Sequence, residues 1–345
     1  MRTMRRTTVT TLLLLLALLA LAGTCLLVGS VDIPAGAIWN ILAGHDSGNE
    51  AWNIIIRQSR LPMIATAMLA GAALSVSGLL LQTTFNNPLA GPSILGVSTG
   101  AGLGVAVVML AMGGSLGSMF GITSGGFAAT MIGALIGAGL VLVILIGMSA
   151  LVKSSTMLLI VGIMISYLAS SVISLLNSLA TEEGVHSYVS WGFGNFNSVG
   201  IDQMPFFATA LLASLALSFL MVKPLNALLL GTRYAENLGV NTRRTRNTLL
   251  IITGILTAVV TAYCGPIGFI GLVVPHVARF ITATSDHRRL LPCTMLTGAN
   301  VALLCALISV CGKHGIIPLN AITPIIGVPI IIYIIINRRR LSYFN

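Results

Sequence analysis

Long apolar runs separated by short polar breaks dominate this chain. Ten runs have the 17 to 25 residues, or nearly so, that a helix needs to cross a bilayer. They are Thr11–Val28, Pro62–Gln82, Ile94–Met112, Gly126–Leu151, Met157–Leu179, Phe206–Val222, Thr248–Tyr263, Gly265–Ile281, Leu291–Val310 and Ile322–Ile336. Only Cys264 and Gly265-Pro266 separate the seventh from the eighth, so a tight turn or a broken helix is required there. The pattern predicts an all-α polytopic membrane protein of about ten spans, with residues 1–345 forming one transmembrane domain. Its one sizeable polar stretch between spans is KPLNALLLGTRYAENLGVNTRRTR, residues 223–246.

Composition agrees with the pattern. The chain is 56% hydrophobic and 8% charged, against roughly 25% charged in soluble domains. The net charge of +10 would also suit a nucleic-acid binder. Position excludes that, because the basic residues sit at span ends and in short loops. Ten spans place both termini on one side. With the termini in the cytoplasm, fifteen Lys and Arg face it: Arg2, Arg5, Arg6, Lys153, Lys223, Arg233, Arg243, Arg244, Arg246, Arg279, Arg288, Arg289, Arg338, Arg339 and Arg340. Arg57, Arg60 and Lys313 face out, with six of the eight acids. That asymmetry is the positive-inside pattern of an inner-membrane protein.

The five cysteines, Cys25, Cys264, Cys293, Cys305 and Cys311, form no CxxC pair and read as buried free thiols. The N-terminus has a basic start and an apolar run, as a signal peptide does. Thr24 before Cys25 is a poor lipoprotein cleavage context and the run continues through Val28, so it reads as an uncleaved first span.

The middles of the spans hold almost no ionisable side chains. An ion-coupled carrier usually needs them, so a secondary transporter, the alternative reading, is disfavoured. Small-residue patterns such as Gly100/Gly104 and Gly133/Gly137 allow close helix packing in lipid. Spans two to five and seven to ten run in opposite senses, which suits an inverted repeat. There is no P-loop: the only Gly-Lys pair, Gly312-Lys313, precedes His314. No HExxH, GxSxG or paired-carboxylate arrangement appears, and the five histidines are scattered. These features point away from an enzyme and imply no metal and no cofactor.

Three stretches carry a family resemblance. Arg60-Leu61-Pro62 followed by GAALSVSGLLLQTTFNNPLAGPSILGVSTGAG (71–102), GPIGFIGLVVPHVARFITATSDHRRLLP (265–292) and GVPIIIYIIINRRR (327–340) resemble signatures of permease subunits of binding-protein-dependent ABC importers. The branch is the one that takes up iron–siderophores, haem and vitamin B12. Read physically, Asn86-Asn87-Pro88 breaks the chain after the second span, and Gly265, Pro266, Gly268 and Gly271 predict irregular backbone.

The resemblance implies a type II ABC importer architecture. Two copies form the pathway, lined by the fifth, eighth and tenth spans. Two ATP-binding subunits dock inside, and a periplasmic or lipid-anchored binding protein delivers cargo outside. An iron–siderophore is the first expectation for that cargo, then haem, then a corrinoid. The family's coupling loop corresponds to Leu230, Gly231, Thr232, Arg233, Tyr234, Ala235, Glu236, Asn237, Leu238 and Gly239. Read locally, Leu225–Leu230 forms one short helix and Gly231 a bend. Thr232 caps a second helix, Glu236 lies in its first turn and Gly239 ends it. Arg243, Arg244 and Arg246 then meet lipid headgroups. A solvated loop with topogenic arginines is the plainer alternative.

In the vitamin B12 branch the turn between the fourth and fifth spans narrows the cytoplasmic exit, which makes Ser155 and Thr156 gate candidates. The same residues suit a helix N-cap. Outward arginines meet acids on the binding protein in that branch, which assigns docking to Arg57 and Arg60. The chain departs from it at Met63, where a second Arg is usual, and at Ala306–Val310, where an Asp and Arg are often found.

Overall fold

A computed structural model describes residues 2–111, 125–152, 154–311 and 317–336. Fourteen helices follow in order among them: α1 (Arg2–Leu27), α2 (Ala35–Leu42), α3 (Glu50–Thr84), α4 (Val97–Ala111), α5 (Gly125–Leu151), α6 (Ser155–Leu179), α7 (Glu182–Gly192), α8 (Met204–Leu220), α9 (Val222–Leu228), α10 (Thr232–Asn237), α11 (Thr242–Cys264), α12 (Ile270–Thr282), α13 (His287–Val310) and α14 (Leu319–Ile336). Six are long and apolar enough to cross a membrane. The α8–α9 pair, bent by 55°, makes a seventh, and α4, α12 and α14 are shorter apolar helices. Each of the ten expected spans thus has a helical counterpart. The expected residues Lys153, Lys313 and Arg338–Arg340 lie outside the described residues.

The centre of the bundle is α3, whose most apolar 18 residues are 83% buried, packed against α11, α12 and α13. Its sequence GAALSVSGLLLQ explains this position. A Cβ on Gly71 would overlap the Gly298 carbonyl of α13, and one on Gly78 the Gly271 carbonyl of α12. Between these close approaches the hydroxyls bond across helices: Ser75 Oγ to Thr294 O at 3.1 Å, and Ser77 Oγ with Thr257 Oγ1 at 3.1 Å. In lipid, where apolar area alone does not drive association, contact at this range supplies the dispersion energy. The sequence patterns Gly100/Gly104 and Gly133/Gly137 form one such seam, α4 on α5.

Two stretches leave the helix among apolar neighbours. The first, residues 85–96, opens with Asn86 at φ 44°. Asn87 Oδ1 accepts the Leu89 amide (2.9 Å), and His276 Nε2 donates to Pro88 O at 2.8 Å. The second corrects the expected eighth span. Residues 265–269 are not helical, and α12 starts only at Ile270, after Gly265 and Phe269 at positive φ. Asn320 of α14 serves this stretch: its Oδ1 accepts the Gly268 amide (3.3 Å) and its Nδ2 donates to Gly192 O (2.6 Å).

At the end of the bundle where α3 finishes, a polar hub joins α9 to the core. Asn226 Oδ1 accepts the backbone amide of His287 at 2.9 Å, and its Nδ2 donates to Asp286 Oδ1 at 2.7 Å. Oδ1 can only accept, so the His287 Nδ1, 2.9 Å from it, carries the proton. On the neutral ring Nε2 then accepts the Thr83 hydroxyl of α3 at 2.8 Å. Both His287 and Thr83 are buried. Beside them Arg279 Nη1 donates to Gln82 Oε1 at 2.6 Å. Asp286 also caps α13 through the Arg288 amide (3.0 Å). Partial burial opposes its charge, but that amide, Asn226 and Arg289 outweigh it and hold the carboxyl below its usual range.

Two outcomes follow for stability in detergent, read as thermal unfolding followed by size exclusion. Gly104→Val meets backbone on α5 and costs about 3 kcal/mol, whereas Gly139→Ala, with open space around it, is neutral or gains up to ~1 kcal/mol. His287→Leu removes the ring's bonds to Asn226 and Thr83, which keep the residue 287 amide and Leu79 O as partners, and costs about 1 kcal/mol, whereas Asn226→Leu leaves the buried ring Nδ1 unpaired and costs about 2 kcal/mol.

Candidate functional site

The polar stretch between α8 and α11 folds as a helical hairpin. After α9, Gly231 turns the chain at φ 97°, a value glycine alone adopts at low cost. This displaces the expected cap by one residue. Gly231 is the N-cap of α10 and makes no side-chain cap, while Thr232 is the first helical residue. Glu236 is the fifth of six residues, not in the first turn, and its Oε1 accepts the Thr242 hydroxyl at 2.7 Å. Gly239, at φ 81°, ends the helix as expected. The Val240 amide bonds Ala235 O (3.0 Å) and the Gly239 amide bonds Glu236 O (2.9 Å), the paired bonds of a Schellman motif. Asn241 then caps α11 through the Arg244 amide, 2.9 Å.

Only Ala235 of α10 is buried. Leu230, Tyr234 and Leu238, at helical spacing of four, are each more than 60% exposed, with Arg233, Glu236 and Asn237 beside them. Three large exposed apolar side chains on one polar turn, Leu230 before the Gly231 bend and Tyr234 and Leu238 one helical turn apart after it, form a surface that water does not favour.

Behind the hairpin lies a cavity of about 630 Å³. The hairpin contributes Gly231, Thr232 and Glu236, the end of α3 contributes Thr83 and Thr84, and the α5–α6 turn contributes Ser154 and Thr156. The expected coupling and gate residues therefore meet around one space. The cap of α6 is Ser154, whose Oγ accepts the Met157 amide at 3.5 Å, and not Ser155 or Thr156. Thr156 is exposed to the cavity. Ser155 opens α6, and its side chain lies outside the described residues.

Two arginines stand elsewhere than expected. Arg246 is not on a headgroup surface: its guanidinium donates to Ser149 O (2.6 Å) and Ser149 Oγ (3.0 Å) at the end of α5. Arg60, 5% exposed, is not on a docking surface either. A π-helical turn, Ile55–Arg60, swings it inward, where it donates to Leu26 O, Leu27 O (3.2 Å) and Val31 O at the end of α1. Arg57, in the same turn, is exposed.

A second cavity, about 390 Å³, was not foreseen. Ser93, Ser98, Thr99, Tyr188, Trp191 and Asn320 are among its lining residues, beside the apolar Ile173, Pro266 and Ile267, and none of the lining residues is charged. Burial raises the Tyr188 phenol above its ordinary value, so it stays a neutral donor. It touches α6, α14 and the irregular lead into α12, the counterparts of the fifth, tenth and eighth spans. The sequence signal was the aromatic pair on α7, a short helix capped by Thr181.

Known proteins match both this arrangement and the sequence. The family model of the FecCD transport family covers residues 12–337. The molybdate import system permease protein MolB of Haemophilus influenzae is 36% identical over 80% of this chain and 79% of its own. The vitamin B12 import system permease protein BtuC of Salmonella paratyphi A is 33% identical over 94% and 95%. A solved structure described as an inward-facing conformation of a metal-chelate type ABC transporter superposes with a TM-score of 0.81 at 30% identity. That match covers 95% of this chain and 98% of the other. With its helix order, hairpin and sequence matched along nearly its whole length, the chain belongs to the FecCD transport family.

Proposed function

We propose that this permease subunit of an ABC importer carries a metal chelate across the inner membrane, an iron–siderophore before haem or a corrinoid. The match to a metal-chelate type transporter carries the choice of cargo class. The uncharged lining of the 390 Å³ cavity supports it. A chelate with its metal already satisfied needs weak, replaceable hydrogen bonds and no strong counter-charge. The similarity to a molybdate permease favours a second reading, an oxyanion held by the hydroxyls of the same lining.

In this reading the hairpin faces the cytoplasm, as do both termini. Leu230, Tyr234 and Leu238 enter a cleft of an ATP-binding subunit, with Arg233, Glu236 and Asn237 at the rim. Two permease copies and two ATP-binding subunits complete the importer. Thr156 and Ser155 narrow the exit, and the cavity shared with the hairpin supports that pairing. At the opposite end Arg57 receives the binding protein, while Arg60 is withdrawn onto α1. ATP closure of the motor then selects between two packings of the bundle.

Two measurements test this. In vesicles holding the chain with its ATP-binding subunit, a ferric hydroxamate siderophore, haemin, cyanocobalamin and molybdate are offered with the binding protein. ATP-dependent uptake of the ferric siderophore is expected. Uptake of molybdate alone selects the second reading, and uptake driven by an ion gradient without ATP overturns the importer reading. Separately, Tyr234→Ala removes an exposed anchor and weakens capture of the ATP-binding subunit by about tenfold or more. Undiminished capture in Tyr234→Ala/Leu238→Asp rules out docking at this surface.

A further inference from the structure

The hairpin is held at both ends, and the two ends differ. At α9, Asn226 is fixed on buried His287 of α13, whose ring in turn bonds Thr83 of α3. At the other end, α11 begins a few residues after α10 and carries Arg246 and Asn247. Arg246 Nη2 donates to Ser149 O (2.6 Å) and Val152 O (3.4 Å), and Nε donates to Ser149 Oγ (3.0 Å). The Ser149 hydroxyl in turn donates to Asn247 Oδ1 at 2.8 Å. Consecutive residues of α11 thus grip the last turn of α5. The carbonyls there have no intrahelical partners, and a guanidinium fork satisfies several at once while meeting the negative end of the helix dipole.

The elements at the two ends are not equally firm. In the most apolar 18 residues of each helix, the chain buries 83% of residues in α3, 72% in α11 and 61% in α13, but only 28% in α5 and 22% in α6, which lie at the periphery of the chain. Segments with few buried contacts move at lower cost. Arg246 therefore joins the start of α11, and through it the hairpin, to the end of the peripheral helix α5, and Asn226 joins the hairpin to the central α13.

We infer that Arg246 is a positioning residue of the transport cycle. It passes displacement of the hairpin to the end of α5, with the Asn226 hub as pivot. The inference rests on the hairpin being the docking element of the ATP-binding subunit. Arg246 acts through Ser149 and Val152 and needs no contact with cargo. Lysine is an incomplete substitute, because a point charge cannot fork between a hydroxyl and two carbonyls.

The test uses the full complex with its ATP-binding subunit in lipid nanodiscs. Ala150→Cys, which lines the cavity beside the grip, reports the end of α5 in a Cys311→Ser background; the other four cysteines are buried. Labelling by a membrane-impermeant maleimide is compared between nucleotide-free and ATP–vanadate-trapped complexes. With Arg246 intact, the two states are expected to differ by about tenfold in labelling rate. Arg246→Gln is expected to reduce the contrast below about twofold while ATP hydrolysis and subunit capture persist. Arg246→Lys falls between, and Ser149→Ala, which keeps the carbonyl contacts, retains most of the contrast. A full contrast in Arg246→Gln overturns the inference, and so does loss of hydrolysis together with the contrast. If the complex with Arg246 intact neither hydrolyses ATP nor shows a contrast, the docking reading fails and the inference falls with it. A contrast that survives only because Arg246 is irrelevant removes this inference alone.

Discussion

A backbone that leaves the helix inside an apolar bundle finds little water for its amides and carbonyls, and residues 85–96 and 265–269 are two described stretches of this chain that do so. Non-helical backbone persists at membrane depth only where protein or a wet cavity takes its hydrogen bonds. Residues 85–96 and 265–269 are served by the side chains of Asn87, His276 and Asn320. Side-chain amides can donate and accept there without the desolvation penalty of a charge. The two breaks shorten α4 and α12, and the space left beside them is part of the hydroxyl-lined cavity. The interior that a conduit needs thus depends on a few well-placed hydrogen bonds.

What the sequence made legible was whatever depends on near neighbours. Apolar run length gave the ten helical counterparts, and Gly231 and Gly239 marked a hairpin whose backbone angles require them. Gly100, Gly104, Gly133 and Gly137 were visible as small-residue spacings, though not as partners of one another. Cap positions slipped by a residue, to Gly231 and Ser154, because a cap is chosen by backbone geometry as well as by side-chain type. Partnerships across the chain stayed hidden. Arg246 meets Ser149 97 residues away, and Thr83 meets His287 204 residues away. No local pattern announces either pair, and an arginine near a span end looks topogenic whatever its guanidinium touches.

The arginines also show why charge position and charge contact are separate questions. Arg60 serves the end of α1, Arg246 the end of α5, and Arg6 donates through Nε to Ile281 O at 3.2 Å, near the end of α12. Helix C-termini expose carbonyls and carry the negative end of the dipole, so a cation from a neighbouring helix satisfies both. A basic residue that biases topology during insertion can then bind a helix end after folding. The two uses need no compromise, since both place the charge just beyond the apolar core.

This double use limits what can be built at the two faces. Met63 stands where the vitamin B12 branch carries a second arginine, and Arg60 is spent on α1, so the face bearing Arg57 is left with little positive charge among the described residues. The hairpin face differs: its charges flank an exposed apolar row of Leu230, Tyr234 and Leu238. Affinity at such a surface comes from desolvating the aromatic and aliphatic anchors, with rim charges setting orientation and on-rate. A contact of that kind suits a subunit that stays bound through many cycles. A sparse, exposed charge suits one that must arrive, release its cargo and leave. Among the described residues, the burial of the basic side chains thus sets the two faces apart, which their number alone does not.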